Sequence, residues 1–268
     1  MLAELGFFEL GLYLFTGSVA GLLAGLLGVG GGLFIVPVLL FLLPATGVES
    51  QQLMTISVAT SLCTIVITSL SSVIAHQKHQ AIIWPVFWRF VPGIVLGALS
   101  GAIIADVVSQ QLLKGLFAVS VILIALKMLL HLQPKATSEI PGFFGLSISG
   151  TLIGILSAMI GIGGGALTVP LLNYWKTPMA KAVATSAACG LPIAIAGTVG
   201  FIVAGLDQDD LPLYSSGYVY WPAVIGIIST SVLFAPLGAK FAHRISASLL
   251  SKFFAFFLLI VGGKMLLT

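Results

Sequence analysis

Long apolar runs separated by brief polar stretches are the dominant pattern of this chain. The runs fall at about 11–44, 53–75, 82–105, 112–132, 142–172, 182–205, 218–240 and 249–267. A helix crossing the hydrocarbon of a bilayer needs about 20 apolar residues. The pattern therefore predicts eight membrane segments with short connections and no stretch left for a soluble domain. The apolar character is continuous rather than alternating, which favours helices over the strands of a barrel. The expected fold is an all-α integral membrane protein of eight apolar segments.

Composition narrows the picture. Apolar residues make up 59% of the 268, and 11 Lys and Arg with 8 Asp and Glu amount to 7%, against about 25% charged in soluble domains. So few charges cannot clothe a water-facing surface, which excludes a soluble enzyme. A net charge of +3 is too small and dispersed to track a nucleic acid. Cys63 and Cys189 both sit inside apolar runs and read as small buried residues, offering no disulfide framework or metal cluster. Glu4 and Glu9 stand where a cleaved signal peptide carries Lys or Arg, so the first residues are expected to belong to the folded protein.

The chain repeats itself. Residues 21–37, GLLAGLLGVGGGLFIVP, recur as 154–170, GILSAMIGIGGGALTVP, at an offset of 133. Val58-Ala59-Thr60-Ser61 recurs as Val183-Ala184-Thr185-Ser186 at an offset of 125. Trp84-Pro85 recurs as Trp221-Pro222, and Lys127-Met128-Leu129-Leu130 as Lys264-Met265-Leu266-Leu267, both at 137. Four landmarks in one order define two homologous halves, 1–133 and 141–268, with a polar linker at 134–140. Duplicated membrane proteins are typically transporters whose halves rock about a site at their interface, although duplication can also merely enlarge a bundle.

Charge decides how the halves point. If every segment crosses once, the Lys and Arg residues divide almost evenly between the two faces. If the opening segments, 11–44 and 142–172, enter and return to the same side, one face collects Lys78, Arg89, Lys127, Lys135, Lys176, Lys181, Lys240, Arg244 and Lys252 with Glu139. The other then carries Lys114 and Lys264 beside Glu4, Glu9, Glu49, Asp106, Asp207, Asp209 and Asp210. The positive-inside rule selects this second arrangement and makes the basic face cytoplasmic. The halves are then expected to be inverted repeats. At 34 and 31 residues, the opening segments are long for one span and short for two, which predicts two half-helices with a break between them.

The break is expected at Gly28-Val29-Gly30-Gly31-Gly32 and again at Gly161-Ile162-Gly163-Gly164-Gly165. Each interior glycine costs a helix about 1 kcal/mol relative to alanine. Where a helix restarts after the break, at Leu33 or Ala166, its first N–H groups lack intrahelical partners and carry the positive end of the dipole. Gly30, Gly31 and Gly32, with Gly163, Gly164 and Gly165, would let an oxyanion approach those groups closely. The competing use of the glycines is tight helix contact. No Lys-Ser or Lys-Thr follows, so the element is not a nucleotide-binding loop.

Thr60, Ser61, Thr185 and Ser186 follow the breaks and can donate to anion oxygens without placing a charge in lipid; the same hydroxyls can also bond neighbouring backbone. Ser57 is weaker, its counterpart being Ala182. Arg89 either draws anions to a cytoplasmic mouth or reaches headgroups beside tryptophan. His76 and Lys78 belong to a basic stretch, read as a loop, that either gates that mouth or is a solvated connector. Asp207, Asp209 and Asp210 read as an external loop able at most to hold a cation weakly. No membrane-embedded Asp or Glu is evident for a proton relay, and no nucleophile–base pair or metal cluster suggests an enzyme.

The paired G-x-G-G-G-x(4)-P elements, with Ala182-Val183-Ala184-Thr185-Ser186 after the second and Ser57-Val58-Ala59-Thr60-Ser61 after the first, resemble the sulfite exporter TauE/SafE family, also called the toluene sulfonate uptake permease family. The resemblance covers essentially the whole chain. It implies a multi-pass secondary carrier of the bacterial inner membrane for sulfite, sulfonates such as sulfoacetate, or related small anions, without a cofactor. The residues themselves support a carrier with an anion-compatible centre, the partners being a small anion, the lipid bilayer and a coupling ion such as a proton or sodium. An anion channel or a carrier of non-sulfur carboxylates fits the same pattern.

Overall fold

A computed structural model describes residues 7–27, 31–46, 48, 50–130, 139–242 and 247–267. Among them are ten helices: α1 Phe7–Leu27, α2 Gly32–Ala45, α3 Leu53–Lys78, α4 Trp84–Val107, α5 Gln110–Leu129, α6 Phe143–Ile160, α7 Gly165–Tyr174, α8 Met179–Ala204, α9 Trp221–Ala242 and α10 Ala247–Leu267. Seven of these, α1, α3, α4, α5, α6, α8 and α9, are long and apolar enough to cross a membrane. α10 has 21 residues, whereas α2 and α7 have 14 and 10. Ten helices replace the eight expected segments because the stretches 11–44 and 142–172 each carry two.

The second of these divisions has a visible cause. Gly161 adopts φ +72° at the end of α6, a left-handed conformation that side chains disfavour. Its N–H donates to the Ala158 carbonyl at 3.2 Å, and the Ile162 N–H reaches back to the Ser157 carbonyl at 3.0 Å, the closure that satisfies the last carbonyls of a helix. The chain restarts as α7 from Gly164, whose carbonyl accepts from the Thr168 N–H at 2.8 Å. Gly28, Val29 and Gly30, in the matching stretch of the first copy, lie outside the described residues, as does most of the expected linker (134–138). Arg244 lies outside them too.

The major helix pairs are α4 on α6, α1 on α9, α4 on α8, α5 on α10 and α3 on α8. Each joins a helix before residue 131 to one after residue 138, so the chain interleaves. Small residues bring the backbones together, as expected where lipid removes the hydrophobic drive between helices. A Cβ on Gly17 would meet the Ile227 carbonyl, and one on Gly21 the Ser231 backbone. In the same way Gly150 lies against Phe90 and Gly154 against Ile94. Gly150 and Gly154 stand 133 positions beyond Gly17 and Gly21, and Ile227 and Ser231 stand 137 beyond Phe90 and Ile94. The two contacts are therefore counterparts of one another.

At one end, the start of α3 is tied to α5 and to the loop after α8. Gln110 Oε1 accepts from the N–H groups of Met54 and Thr55 at 3.1 and 3.2 Å. Ser50 Oγ donates to the Asp210 carbonyl at 2.9 Å, and Asp210 Oδ2 accepts from the Gln51 N–H at 3.0 Å. This end holds Asp106, Asp207, Asp209 and Asp210. Following α3, α4, α5 and α8 to their other ends places Lys78, Arg89, Lys127 and Lys181 at the opposite end. Between α8 and α9 a two-stranded hairpin forms, β1 Ser215–Ser216 against β2 Val219–Tyr220. Its turn residue Gly217, at φ +51°, lies so close to the Ile202 carbonyl that a Cβ would not fit.

Candidate functional site

A cavity of about 730 Å3 opens between α1, α3, α8 and α9. Its wall on α3 carries Thr68, Ser69, Ser71, Ser72, His76 and His79; α8 contributes Ser186, Ala187 and Gly190; and Gly163 and Gly165 at the α6–α7 break also line it. His76 and His79 stand at the C-terminal end of α3, so the cavity opens toward the basic end and runs inward to the break. No Asp or Glu lines it among the described residues. The lining is largely apolar, with Leu26, Val183, Val232 and Pro236 among its residues, and its polar groups are hydroxyls, imidazoles and glycine backbone, which offer donors and no permanent negative charge.

The centre is where the two glycine stretches meet. A Cβ on Gly32 would strike the Gly161 carbonyl and come within 3.2 Å of Ile162 Cα, so the start of α2 packs directly on the end of α6. Gly31 is buried and its carbonyl accepts from the Ile35 N–H at 2.9 Å. At α7, the N–H groups of Gly165 and Ala166 precede the first intrahelical bond and have no partner among the described residues. Thr168, one turn on, is fully buried, and its hydroxyl has no hydrogen-bond partner among the described residues. That hydroxyl would lie 3.2 Å from a Cβ on Gly164.

The two Thr-Ser pairs lie about two turns into α3 and α8, all four side chains fully buried. Thr60 Oγ1 accepts from the Tyr220 N–H at 3.1 Å, and Thr185 Oγ1 accepts from the Ile83 N–H at 3.0 Å. Tyr220 and Ile83 directly precede the matched Trp-Pro pairs, so each threonine holds the entry to the other copy's α9 or α4. Ser61 Oγ donates to the Gly161 carbonyl at 3.1 Å, and Ser186 Oγ to the Gly164 carbonyl at 3.4 Å. Both serines brace the α6–α7 break, and Ser186 also lines the cavity. Arg89 is exposed and outside the lining, its carbonyl accepting from Ser147 Oγ at 3.1 Å. Lys78 is exposed as well. The basic stretch expected as a loop is helical through Lys78, because the hydrogen-bond ladder of α3 continues to that residue before His79 ends it.

Residues 13–265 match the model of the sulfite exporter TauE/SafE family. The chain belongs to that family. A protein of Haemophilus influenzae named "Probable membrane transporter protein" is 38% identical over 257 residues, covering 96% of this chain and 97% of the relative. A Methanocaldococcus jannaschii protein of the same description is 28% identical over 258 residues, covering 96% and 95%. One from Bacillus subtilis is 24% identical over 271 residues, covering 93% and 94%. No solved structure matches the chain. This TauE/SafE protein is a multi-pass membrane transporter. Within that frame, Thr68, Ser69, Ser71 and Ser72 in the cavity lining, and Thr168 beside Gly164, are polar groups that sequence reasoning passed over. A signal was available: α3 carries hydroxyls at 68, 69, 71 and 72, where the equivalent positions of α8 hold Ile193, Ala194, Ala196 and Gly197.

Proposed function

We propose that this TauE/SafE protein is a secondary carrier of small oxyanions, sulfite or organosulfonates, working by alternating access across the cytoplasmic membrane. The observation that carries the reading is the carboxylate-free cavity that reaches from the basic end to the α6–α7 break. In this reading Gly163, Gly164 and Gly165 let the anion meet the free N–H groups at the start of α7, where the helix dipole favours negative charge. Ser186 and Thr168 supply hydroxyl donors, and Gly30, Gly31 and Gly32 play the corresponding part in the other half of the cycle. Thr60, Ser61 and Thr185 hold the surrounding backbone. His76 offers an imidazole donor at the mouth, and Lys78 and Arg89 stand at the same basic end of the molecule. A proton or sodium ion is the coupling partner.

The two halves, 1–133 and 141–268, act as inverted repeats. Support comes from the counterpart helices α3 and α8. The start of α3 at Ser50 and Gln51 is bonded to Asp210, six residues past the end of α8, so the two matched helices run in opposite directions. The reciprocal Thr60–Tyr220 and Thr185–Ile83 bonds fit the same two-fold relation. A carrier is favoured over a channel because Leu62 and Gly197, the sequence counterparts of the cavity-lining Ala187 and Ser72, are packed together.

Purified protein in liposomes tests the reading. Labelled sulfite or a short alkylsulfonate should exchange against unlabelled anion on the far side and show counterflow. Flux that follows the gradient with no exchange would mean a channel, and exchange of carboxylates with none of sulfite or sulfonates would remove the sulfur specificity.

A further inference from the structure

The open cavity has a closed twin. Four residues that line the cavity are Gly25 on α1, Ser72 on α3, Ala187 on α8 and Pro236 on α9. The sequence offsets pair them with Ala158, Gly197, Leu62 and Leu99: Ala158 lies 133 beyond Gly25, Gly197 lies 125 beyond Ser72, Leu62 lies 125 before Ala187, and Leu99 lies 137 before Pro236. Leu62, Ala158 and Gly197 touch one another, and Leu99 lies against Gly200, the counterpart of the cavity-lining Ala75. A Cβ on Gly197 would stand 2.8 Å from Leu62 Cδ1 and 3.7 Å from Ala158 Cβ, and one on Gly200 would stand 3.5 Å from Leu99 Cα. Leu62 and Ala158 are fully buried. Two hydroxyls beside this seam, Ser157 and Thr198, are buried without a hydrogen-bond partner among the described residues, and Ser157 is the counterpart of the cavity-lining Ala24. Buried polar groups left unpaired in one state call for an explanation; a second state that wets them provides one.

The mouths correspond as well. Phe201 lies 125 beyond His76. Instead of facing an opening, Phe201 is fully buried with the Tyr218 ring against it edge-on, the centroids 6.3 Å apart. The Tyr218 hydroxyl donates to the Asp106 carboxylate. Tyr218 belongs to the β1–β2 hairpin, which lies where the repeat offset grows from 125 to 137. The inner mouth has no such insertion, since only five residues separate Lys78 from Trp84.

We propose that the seam between Leu62, Leu99, Ala158 and Gly197 is the outward half of the transport path, and that the β1–β2 hairpin is its lid, latched by Tyr218 on Asp106. The proposal rests on the alternating-access reading. When the lid lifts, the seam parts and Ser157 and Thr198 meet water or the anion, while Gly25, Ser72, Ala187 and Pro236 close together. Among the described residues the hairpin exists on one side only, so a cover lies over the acidic face alone.

Single-cysteine labelling decides it. In a Cys63→Ala, Cys189→Ala background, Ala187→Cys and its counterpart Leu62→Cys are exposed in oriented membranes to a membrane-impermeant anionic methanethiosulfonate, from each face in turn. With the latch intact, Ala187→Cys should react from the basic face and Leu62→Cys should react slowly. Adding Tyr218→Phe, or in a separate variant Asp106→Asn, should speed Leu62→Cys labelling from the acidic face by about tenfold, the scale of a lost hydrogen bond to a charged group, and slow Ala187→Cys. Variants are compared only as monodisperse protein in detergent, and the two latch substitutions serve as independent routes to the same effect. If Ala187→Cys reacts while Leu62→Cys ignores both latch variants, the seam is not the outward path, yet the carrier reading stands. If Ala187→Cys is inert from both faces, or both cysteines react rapidly at once, the alternating-access reading itself falls and takes the seam with it.

Discussion

The C-terminal halves of α3 and α8 stand at matching positions, 125 residues apart in the sequence, but face opposite circumstances. On α3, Thr68, Ser69, Ser72 and His76 look into an open cavity. On α8 the corresponding Ile193, Ala194, Gly197 and Phe201 are packed, with Leu62, Ala158 and Tyr218 among their neighbours. The same helix register thus makes a wet wall on one side and a dry seam on the other. Side chains track that difference: hydroxyls where the cavity opens, small or apolar groups where backbones close together. The comparison teaches that the glycine contacts of α1 on α9 and α6 on α4 match at the sequence offsets while the lining differs.

The strongest way to break the comparison is to block the point both paths share. Gly164→Leu should abolish anion exchange while leaving folded protein in the membrane, because the added side chain meets Ile193 and Thr168; Gly31→Leu should act alike from the other copy. Normal transport by both variants would end the role of the glycine breaks. Ser186→Ala, which adds no bulk, should still weaken half-saturation by about tenfold if its hydroxyl meets a charged ligand.

Exchanging counterpart residues sharpens the contrast. His76→Phe gives the inner mouth the residue found at the closed one and should slow uptake from the basic face several-fold, with maximal exchange less affected. Phe201→His places an unpaired polar group under the lid, a cost of about 1–3 kcal/mol to the closed state, and should favour access from the acidic face. Equal effects of the two changes on both faces would show that mouth chemistry does not distinguish the sides.

A smaller effect probes the reciprocal threonine bonds. Thr60→Val strands the buried Tyr220 N–H and should lower thermal stability in detergent by an amount corresponding to about 1–3 kcal/mol. Thr185→Val should cost less, because the Ile83 N–H is only partly buried. The reverse order would mean that the bonds contribute little and packing alone sets the two junctions. The latch should be insensitive to mild alkali, because burial, reinforced by the Asp106 carboxylate, pushes the Tyr218 hydroxyl well above its ordinary value and keeps it a donor.

Much of the frame could be read from the residues. The apolar runs gave the membrane character, and Gly161 with Gly163–Gly165 marked the place where α6 stops and α7 begins. What escaped was the use of individual hydroxyls. Thr60, Ser61 and Thr185 carry the same chemistry as Ser72, yet they tie backbone segments more than 99 positions away in sequence, and no local pattern encodes that partner. Tyr218 was equally silent. Its significance comes from the insertion that places it over Phe201, which appears in the sequence only as a shift between two repeat offsets.

The interleaving of helices also governs biogenesis. Because α1 rests on α9 and α4 on α6, the ribosome delivers α1 and α4 to the bilayer before their mates have been made. Until then the notches at Gly17, Gly21, Gly93 and Gly97 border acyl chains. Assembly is completed only when the last third of the polypeptide arrives, and the newborn N-terminal portion must be kept from pairing wrongly while it waits.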